Sequence, residues 1–218
     1  MKVWILTGSV HCGKTTFLTQ WIERVKTSGN KNVFGVLSGP DDNEGRRHLT
    51  VLPSGECRRL QCSKTEVEEF QKQRESGAKD VKETVTIGPY TFFSDVMQWA
   101  KDSMAEAVNH IALSASSESG KTEDFFFILD EVGPLEINRG MGFEPFVSDF
   151  FKEGRLGSLP NVHMIVVVRQ VMVDKFAAKY LGAPDAAAAN VEFFNQECPI
   201  WRKYSEGVVA NFPYIPPK

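Results

Sequence analysis

Cysteine is scarce: Cys12, Cys57, Cys62 and Cys198 are the only four in 218 residues, and no two stand at C-x-x-C spacing. That excludes a disulfide scaffold, and the thiols read as free in a reducing compartment. Long apolar runs are missing as well, since nothing approaches the roughly 18 residues that a membrane-spanning helix needs. There is no basic excess either. With a formal net charge of −3, the chain as a whole exerts no pull on nucleic acid or on an anionic membrane, and neither is expected as a partner. Residues 1–6 run straight into a glycine-containing turn, leaving no room for the charged and apolar regions of a signal peptide. The expected location is therefore cytoplasmic. No internal repeat occurs, and the nearest thing to low complexity is the alanine run at 186–189.

What is present suits a folded α/β chain. Hydrophobic residues make up 42% and charged residues 24%, which fits one compact domain over residues 1–218. Residues 3–6 are apolar and β-prone, the mark of a buried parallel strand. Phe17, Leu18, Trp21, Ile22 and Val25 then recur at helical spacing, and Ser28-Gly29-Asn30 stops that helix. Residues 33–37 predict a second buried strand. Two β-prone stretches flank Pro53-Ser54-Gly55 and predict an inserted β-hairpin at about residues 46–61, which carries Arg46-Arg47 and Arg58-Arg59. Residues 63–81 are highly charged and read as a solvated helix or connection. A short strand at 85–87 precedes an amphipathic helix built on Phe93, Val96, Met97, Ala100, Met104, Ala107 and Val108. After a polar linker at 114–122, residues 125–129 predict a central strand that ends in Asp130-Glu131. A helix at 146–151, a buried strand at 162–168 and a helix at 171–181 follow. Strands this apolar, alternating with helices, predict a mainly parallel sheet covered on both faces. Ligands of such sheets bind beyond the strand carboxyl ends, where residues 7–15, Asp130-Glu131 and Arg169 all fall.

Gly8-Ser9-Val10-His11-Cys12-Gly13-Lys14-Thr15 fits G-x-x-x-x-G-K-[ST] between a predicted strand and a predicted helix, the context this phosphate-binding loop requires. Gly8 and Gly13 allow successive N–H groups to face one concavity, and the helix that follows adds its positive end. Lys14 would neutralise the β- and γ-phosphates. Thr15 would offer its hydroxyl to magnesium, and Thr16 could contact the α-phosphate. At the variable positions Ser9, Val10, His11 and Cys12, binding falls to the backbone rather than to the side chains.

Asp130, at the end of an apolar strand, fits the second metal-site acid of such enzymes. Glu131 beside it can polarise a water for attack on the terminal phosphate. The transition state also needs positive charge, for which Arg169 is the best-placed residue; Arg46, Arg47, Arg139 and Arg155 are further candidates. Sequence alone does not choose among them.

These residues resemble the small nucleoside-triphosphatase family first recognised in thermophiles, also called cancer-related nucleoside-triphosphatases. The likeness lies in the loop at 8–16, in Gly45-Arg46-Arg47, in Ile87-Gly88-Pro89-Tyr90, and in Leu129-Asp130-Glu131-Val132-Gly133-Pro134-Leu135-Glu136, which resembles D-E-[IV]-G-x-[ML]-E. It extends over roughly residues 1–200. The resemblance implies a three-layer, RecA-like P-loop sandwich that hydrolyses several nucleoside triphosphates, ATP and GTP among them, with magnesium. It assigns Lys14 and Thr15 to phosphate and metal, Asp130 to metal, and Glu131 to activation of water. Glu136 comes with the motif, with a helix-capping or salt-bridge role as the alternative. The T-x-x-N-R that follows the family's late strand is absent after residues 191–195, so no base preference is implied. Residues 140–145 read as an added mobile loop near the active edge. Two other readings remain: a nucleotide or small-molecule kinase, kept open by the hairpin arginines, and a nucleotide-gated interaction module whose partner surface would be the aromatic tail at Trp201, Tyr204, Phe212 and Tyr214. No protein partner is implied.

Overall fold

A computed structural model describes residues 1–8, 12–40, 45–117, 122–154, 156–186, 189 and 192–194. Its strands are β1 (Lys2–Gly8), β2 (Val33–Pro40), β3 (Arg47–Leu52), β4 (Cys57–Arg59), β5 (Thr84–Ile87), β6 (Tyr90–Phe93), β7 (Phe125–Val132), β8 (Val162–Arg169) and β9 (Glu192–Phe193). Its α-helices are α1 (Lys14–Thr27), α2 (Lys64–Glu75), α3 (Ser94–Ala115), α4 (Pro134–Arg139), α5 (Phe146–Glu153) and α6 (Val173–Phe176). Seven strands form one sheet in the order β4-β3-β2-β7-β8-β1-β9, and β5 and β6 form a separate hairpin. The pairs β2–β7, β7–β8, β8–β1 and β1–β9 are parallel, whereas β3 and β4 continue the sheet antiparallel from β2. The protein is thus α/β with a mostly parallel central sheet.

Alternation along the central strands explains the layers. In β7, Phe125, Phe127 and Leu129 join a core that includes α3, α5 and α6, while Phe126 and Ile128 join a second core that includes α1. Successive side chains of a strand point to opposite faces, so a strand that is apolar throughout must be covered on both. On the α1 face, Trp21 stands edge-on to Phe126 at 5.1 Å and to Phe194 at 5.0 Å between ring centroids. Phe194 follows the two-residue β9 and donates its N–H to Ile5 O at 2.9 Å. Burying each such aromatic ring contributes on the order of 2–3 kcal/mol, which gives this short strand an anchor its backbone ladder alone would not supply.

Several expectations need correction. The hairpin expected at about 46–61 is present as β3 and β4, and it extends the main sheet at its edge, because β3 pairs with β2 along its whole length from Pro40↔Arg47 to Gly35↔Leu52. Tyr90–Phe93 is a strand where a turn and a helix start were expected; Phe93 fits the helical period of Val96 and Met97, which hid it. The charged stretch after Ser63 does form a helix, fastened by the reciprocal Ser63–Glu66 capping box, and it buries no residue. Residues 171–181 do not form one helix: a 3₁₀ turn at Gln170–Met172 leads into α6 and then a π-helical turn, Ala177–Leu181. In the 140–145 stretch Phe143 and Glu144 are buried, while Gly140, Met141 and Pro145 are exposed. Among the described residues no helix is long and apolar enough to cross a membrane. Arg155 and the tail aromatics Trp201, Tyr204, Phe212 and Tyr214 lie outside the described residues.

Candidate active site

Strand register sets the edge. Gly8 ends β1 opposite Arg169, which ends β8, and Thr7 stands opposite Val168. On the other side of β8, Val168 pairs with Val132 after a shift in register that begins at Leu129. The carboxyl ends of β1, β8 and β7 therefore stop in one row, with Asp130 and Glu131 in the bulge of β7. Pro40 at the end of β2 pairs with Arg47 at the start of β3, which carries an arginine to the same row.

Gly13 precedes α1 with φ +89°, a conformation that favours glycine, and no side chain among the described residues caps the helix. No acidic residue lies in the first turn, while Arg24 and Lys26 occupy the last. The leading N–H groups and the helix dipole are thus left for an anion. Lys14 Nζ donates to Gly8 O at 3.2 Å and to Cys12 Sγ at 3.6 Å, so the lysine folds back across the loop. Thr16 is exposed. Ser9, Val10 and His11 lie outside the described residues.

Asp130 is the centre of the site. It is 0% exposed, and its Oδ2 accepts from Thr15 Oγ1 at 3.1 Å and from the Ser38 N–H at 3.0 Å. Burial pushes its carboxyl up to about 6, against the pull of those two hydrogen bonds and of the Arg47 and Lys14 charges. Among the described residues its Oδ1 has no hydrogen-bond partner, nor does the buried Thr7 hydroxyl on β1. An unpaired buried oxygen costs about 1–3 kcal/mol, more on a charged group. A hard divalent cation would satisfy it: the donor set is oxygen only, Thr15 hydroxyl and Asp130 carboxylate, which suits magnesium completed by phosphate oxygens and water. No cluster of three or more His, Cys, Asp or Glu among the described residues offers a dedicated cage. The oxygens at this edge thus fit an ion that shares its shell with a ligand.

Glu131 has φ +67°, the only positive value on a non-glycine residue among those described. Holding a side-chain-bearing residue there costs about 1–2 kcal/mol. The bulge re-aims the chain, burying Asp130 while leaving Glu131 partly exposed. Its Oε2 forms an ion pair with Arg47 Nη1. The Arg47 pKa is lowered by burial and by the neighbouring Arg169 charge, against opposing effects of Tyr90 and Asp130. Arg169, Tyr90 and Asp130 all act on Arg47, so the two arginines share one neighbourhood. Arg169 itself is exposed.

The other candidates are engaged elsewhere. Arg139 donates to Thr86 O at 3.1 Å and ties α4 to β5. Arg58 pairs with Glu56 at 2.7 Å and lies over the Trp99 ring at 4.3 Å, and Arg59 pairs with Glu66. Arg46 is half-buried beside β3. Glu136 is a cap: its Oε2 accepts from the Gly133 N–H at 3.0 Å and its Oε1 from the Phe143 N–H at 3.2 Å. That bonding ties α4 to the 140–145 loop. Sequence reasoning missed Ser38, whose role is a backbone N–H that residue type cannot advertise, and gave Arg47 no rank above the other arginines. Placement of Arg46-Arg47 at the hairpin start was the available signal for the latter. Comparison with models of known protein families, with curated proteins and with solved structures finds no match to this chain.

Proposed function

We propose that this chain is a P-loop hydrolase that cleaves nucleoside triphosphates to diphosphate and phosphate with magnesium. The observation that carries the reading is the meeting at Asp130: one carboxylate oxygen takes the Thr15 hydroxyl from the start of α1, and the other is buried without a partner among the described residues, one residue before Glu131. Three parallel strand ends and an uncapped helix start converge there, compatible with a RecA-like sandwich. Lys14 and the leading N–H groups of α1 would hold the β- and γ-phosphates. Magnesium held by the Thr15 hydroxyl and Asp130 would neutralise charge on the transferred phosphoryl group. Glu131, placed beside Asp130 yet open to solvent, would accept the proton of the attacking water. With loose base selectivity, ATP and GTP would both serve.

Phosphate release from a panel of nucleoside triphosphates, with and without magnesium, tests the reading. Glu131→Gln is expected to slow release by about 10²–10⁴-fold while retaining triphosphate binding. Lys14→Ala is expected to lose both affinity and turnover, the latter by at least about 10²-fold. Release that survives Glu131→Gln unchanged would remove Glu131 from the role of base. Binding undiminished in Lys14→Ala would contradict the phosphate site.

A further inference from the structure

We propose that Arg47 is the sensor of the terminal phosphate: without triphosphate it is latched onto Glu131, and it leaves Glu131 for the γ-phosphate when triphosphate arrives. The inference rests on the hydrolase reading and deepens it at the same site. Two observations carry it. The Arg47–Glu131 ion pair joins the residue best placed to accept a proton from water to a residue of the sheet edge. The guanidinium occupies Oε2 of Glu131 and stabilises its charged form, so the pair as it stands makes the carboxylate a weaker acceptor for a proton from water. The register then puts Arg47 on the row of strand ends where the phosphates would lie, because it faces Pro40 at the carboxyl end of β2, next to the β7 end that carries Asp130.

Charge at the edge says why the latch should open. Lys14, Arg47 and Arg169 bring three positive charges there, against two carboxylates, Asp130 and Glu131. Arg169 stands near enough to depress Arg47's affinity for its proton, so the two cations repel each other. A γ-phosphate relieves that repulsion by offering several acceptor oxygens to a fork-shaped guanidinium. A diphosphate lacks the terminal phosphoryl group and leaves Arg47 with Glu131 as its anionic partner. The positive φ of Glu131 sets the direction in which its side chain leaves the bulge, towards Arg47. After cleavage, loss of phosphate would let the pair re-form and weaken retention of product.

Binding, not turnover, tests this, so the result stays separate from that of the hydrolysis assay. Titration calorimetry with magnesium compares a non-hydrolysable triphosphate analogue with the matching diphosphate, on wild type, Arg47→Ala, Arg47→Lys, Glu131→Gln and the double variant Arg47→Ala/Glu131→Gln. Arg47→Ala is expected to weaken the analogue by about tenfold or more and to leave the diphosphate within about twofold. Arg47→Lys, which keeps the charge and the stem but not the fork, should recover only a minor share of the loss. Glu131→Gln should tighten the analogue several-fold, because the latch no longer competes for Arg47, and that gain should vanish in the double variant. Equal effects of Arg47→Ala on both nucleotides, or a Glu131→Gln gain that persists without Arg47, would overturn the proposal and leave phosphate release by wild type to stand. Arg47-dependent triphosphate preference in a chain that releases no phosphate would uphold the sensor and sink the hydrolase. Failure of wild type to bind either nucleotide would overturn both.

Discussion

Asp130 and Glu136 are both buried carboxylates raised in pKa, yet their partners separate them. Asp130 keeps an unpaired oxygen, whereas both oxygens of Glu136 accept backbone N–H groups. Among the described residues the first arrangement leaves one acceptor open, and the second fills both oxygens. Burial pushes Glu136 up to about 7 from the ordinary 4.5, with the Glu144 charge acting in the same direction and the backbone hydrogen bonds against it. Around it, Lys179 donates to the Glu136 carbonyl and to Glu144 Oε1, and Tyr180 donates to Glu144 at 2.5 Å. A carboxyl whose folded pKa is raised binds its proton more tightly in the native chain. Its contribution to stability is therefore full below about pH 4.5 and is lost as pH rises through about 7. Glu136→Gln removes that titration, so urea unfolding across this window should show a fall in stability that is shallower than wild type by on the order of 2–3 kcal/mol. Parallel pH profiles for the two proteins would show that folding does not raise the Glu136 pKa. Glu144 titrates in the opposite sense: burial raises its pKa, but the bonds from Tyr180, Ser148 and Lys179 outweigh this and lower it.

Among the elements, β2 makes the tightest approach. Gly35 has φ +107°, and a Cβ there would stand 2.0 Å from Ile128 O on β7. Backbone cannot yield as a side-chain tip can, so Gly35→Ala is expected to cost about 3 kcal/mol or more, seen as a lower urea midpoint or loss of soluble protein. Gly39→Ala on the same strand meets nothing within 4 Å and should cost less than about 1 kcal/mol. A near-neutral Gly35→Ala would mean that β2 and β7 are further apart than described. Much of the sheet was legible beforehand because β1, β2, β7 and β8 each bury both faces and so appear as unbroken apolar runs, and because Phe17, Leu18, Trp21, Ile22 and Val25 all fall on the buried side of α1. What stayed hidden was not local. The insertion of β8 between β1 and β7 depends on pairing across distant segments, and β9 has only two residues, held by Phe194 behind it. The π-helical turn shares its residue types with ordinary helix. In the candidate site, Lys14, Thr15, Asp130 and Glu131 were legible because their motifs are contiguous. The Arg47–Glu131 pair was not, since it joins two strands that are not neighbours in the sheet, and the positive φ of Glu131 belongs to a residue type that carries no sign of it.

At the scale of the whole molecule, the charge balance is split. The chain carries a net −3, while the row of strand ends concentrates Lys14, Arg47 and Arg169 against two carboxylates, so a polyanion finds local attraction inside an overall repulsion. A ligand at that row would couple binding to folding, because the row joins the ends of β1, β7 and β8 to the start of α1, and each is ordered by the core behind it. A ligand that binds only the folded chain stabilises it by about 2.7 kcal/mol at a hundred times its dissociation constant. For a chain of this size that corresponds to a rise in Tm of roughly 5–10 °C. Scanning calorimetry with a non-hydrolysable triphosphate analogue and magnesium should show this rise, and omission of magnesium should remove most of it. Asp130→Asn separates the ligand's contribution from that of the fold. The amide can still accept from Ser38 or Thr15, and it relieves the cost of burying a charge, so the ligand-free Tm should stay within a few degrees of wild type. The magnesium-dependent share of the shift should disappear, since a neutral amide is a far weaker ligand for a hard cation. A magnesium-dependent rise that survives in Asp130→Asn would move the metal away from this carboxylate, and the buried unpaired oxygen would then have to be satisfied by another group.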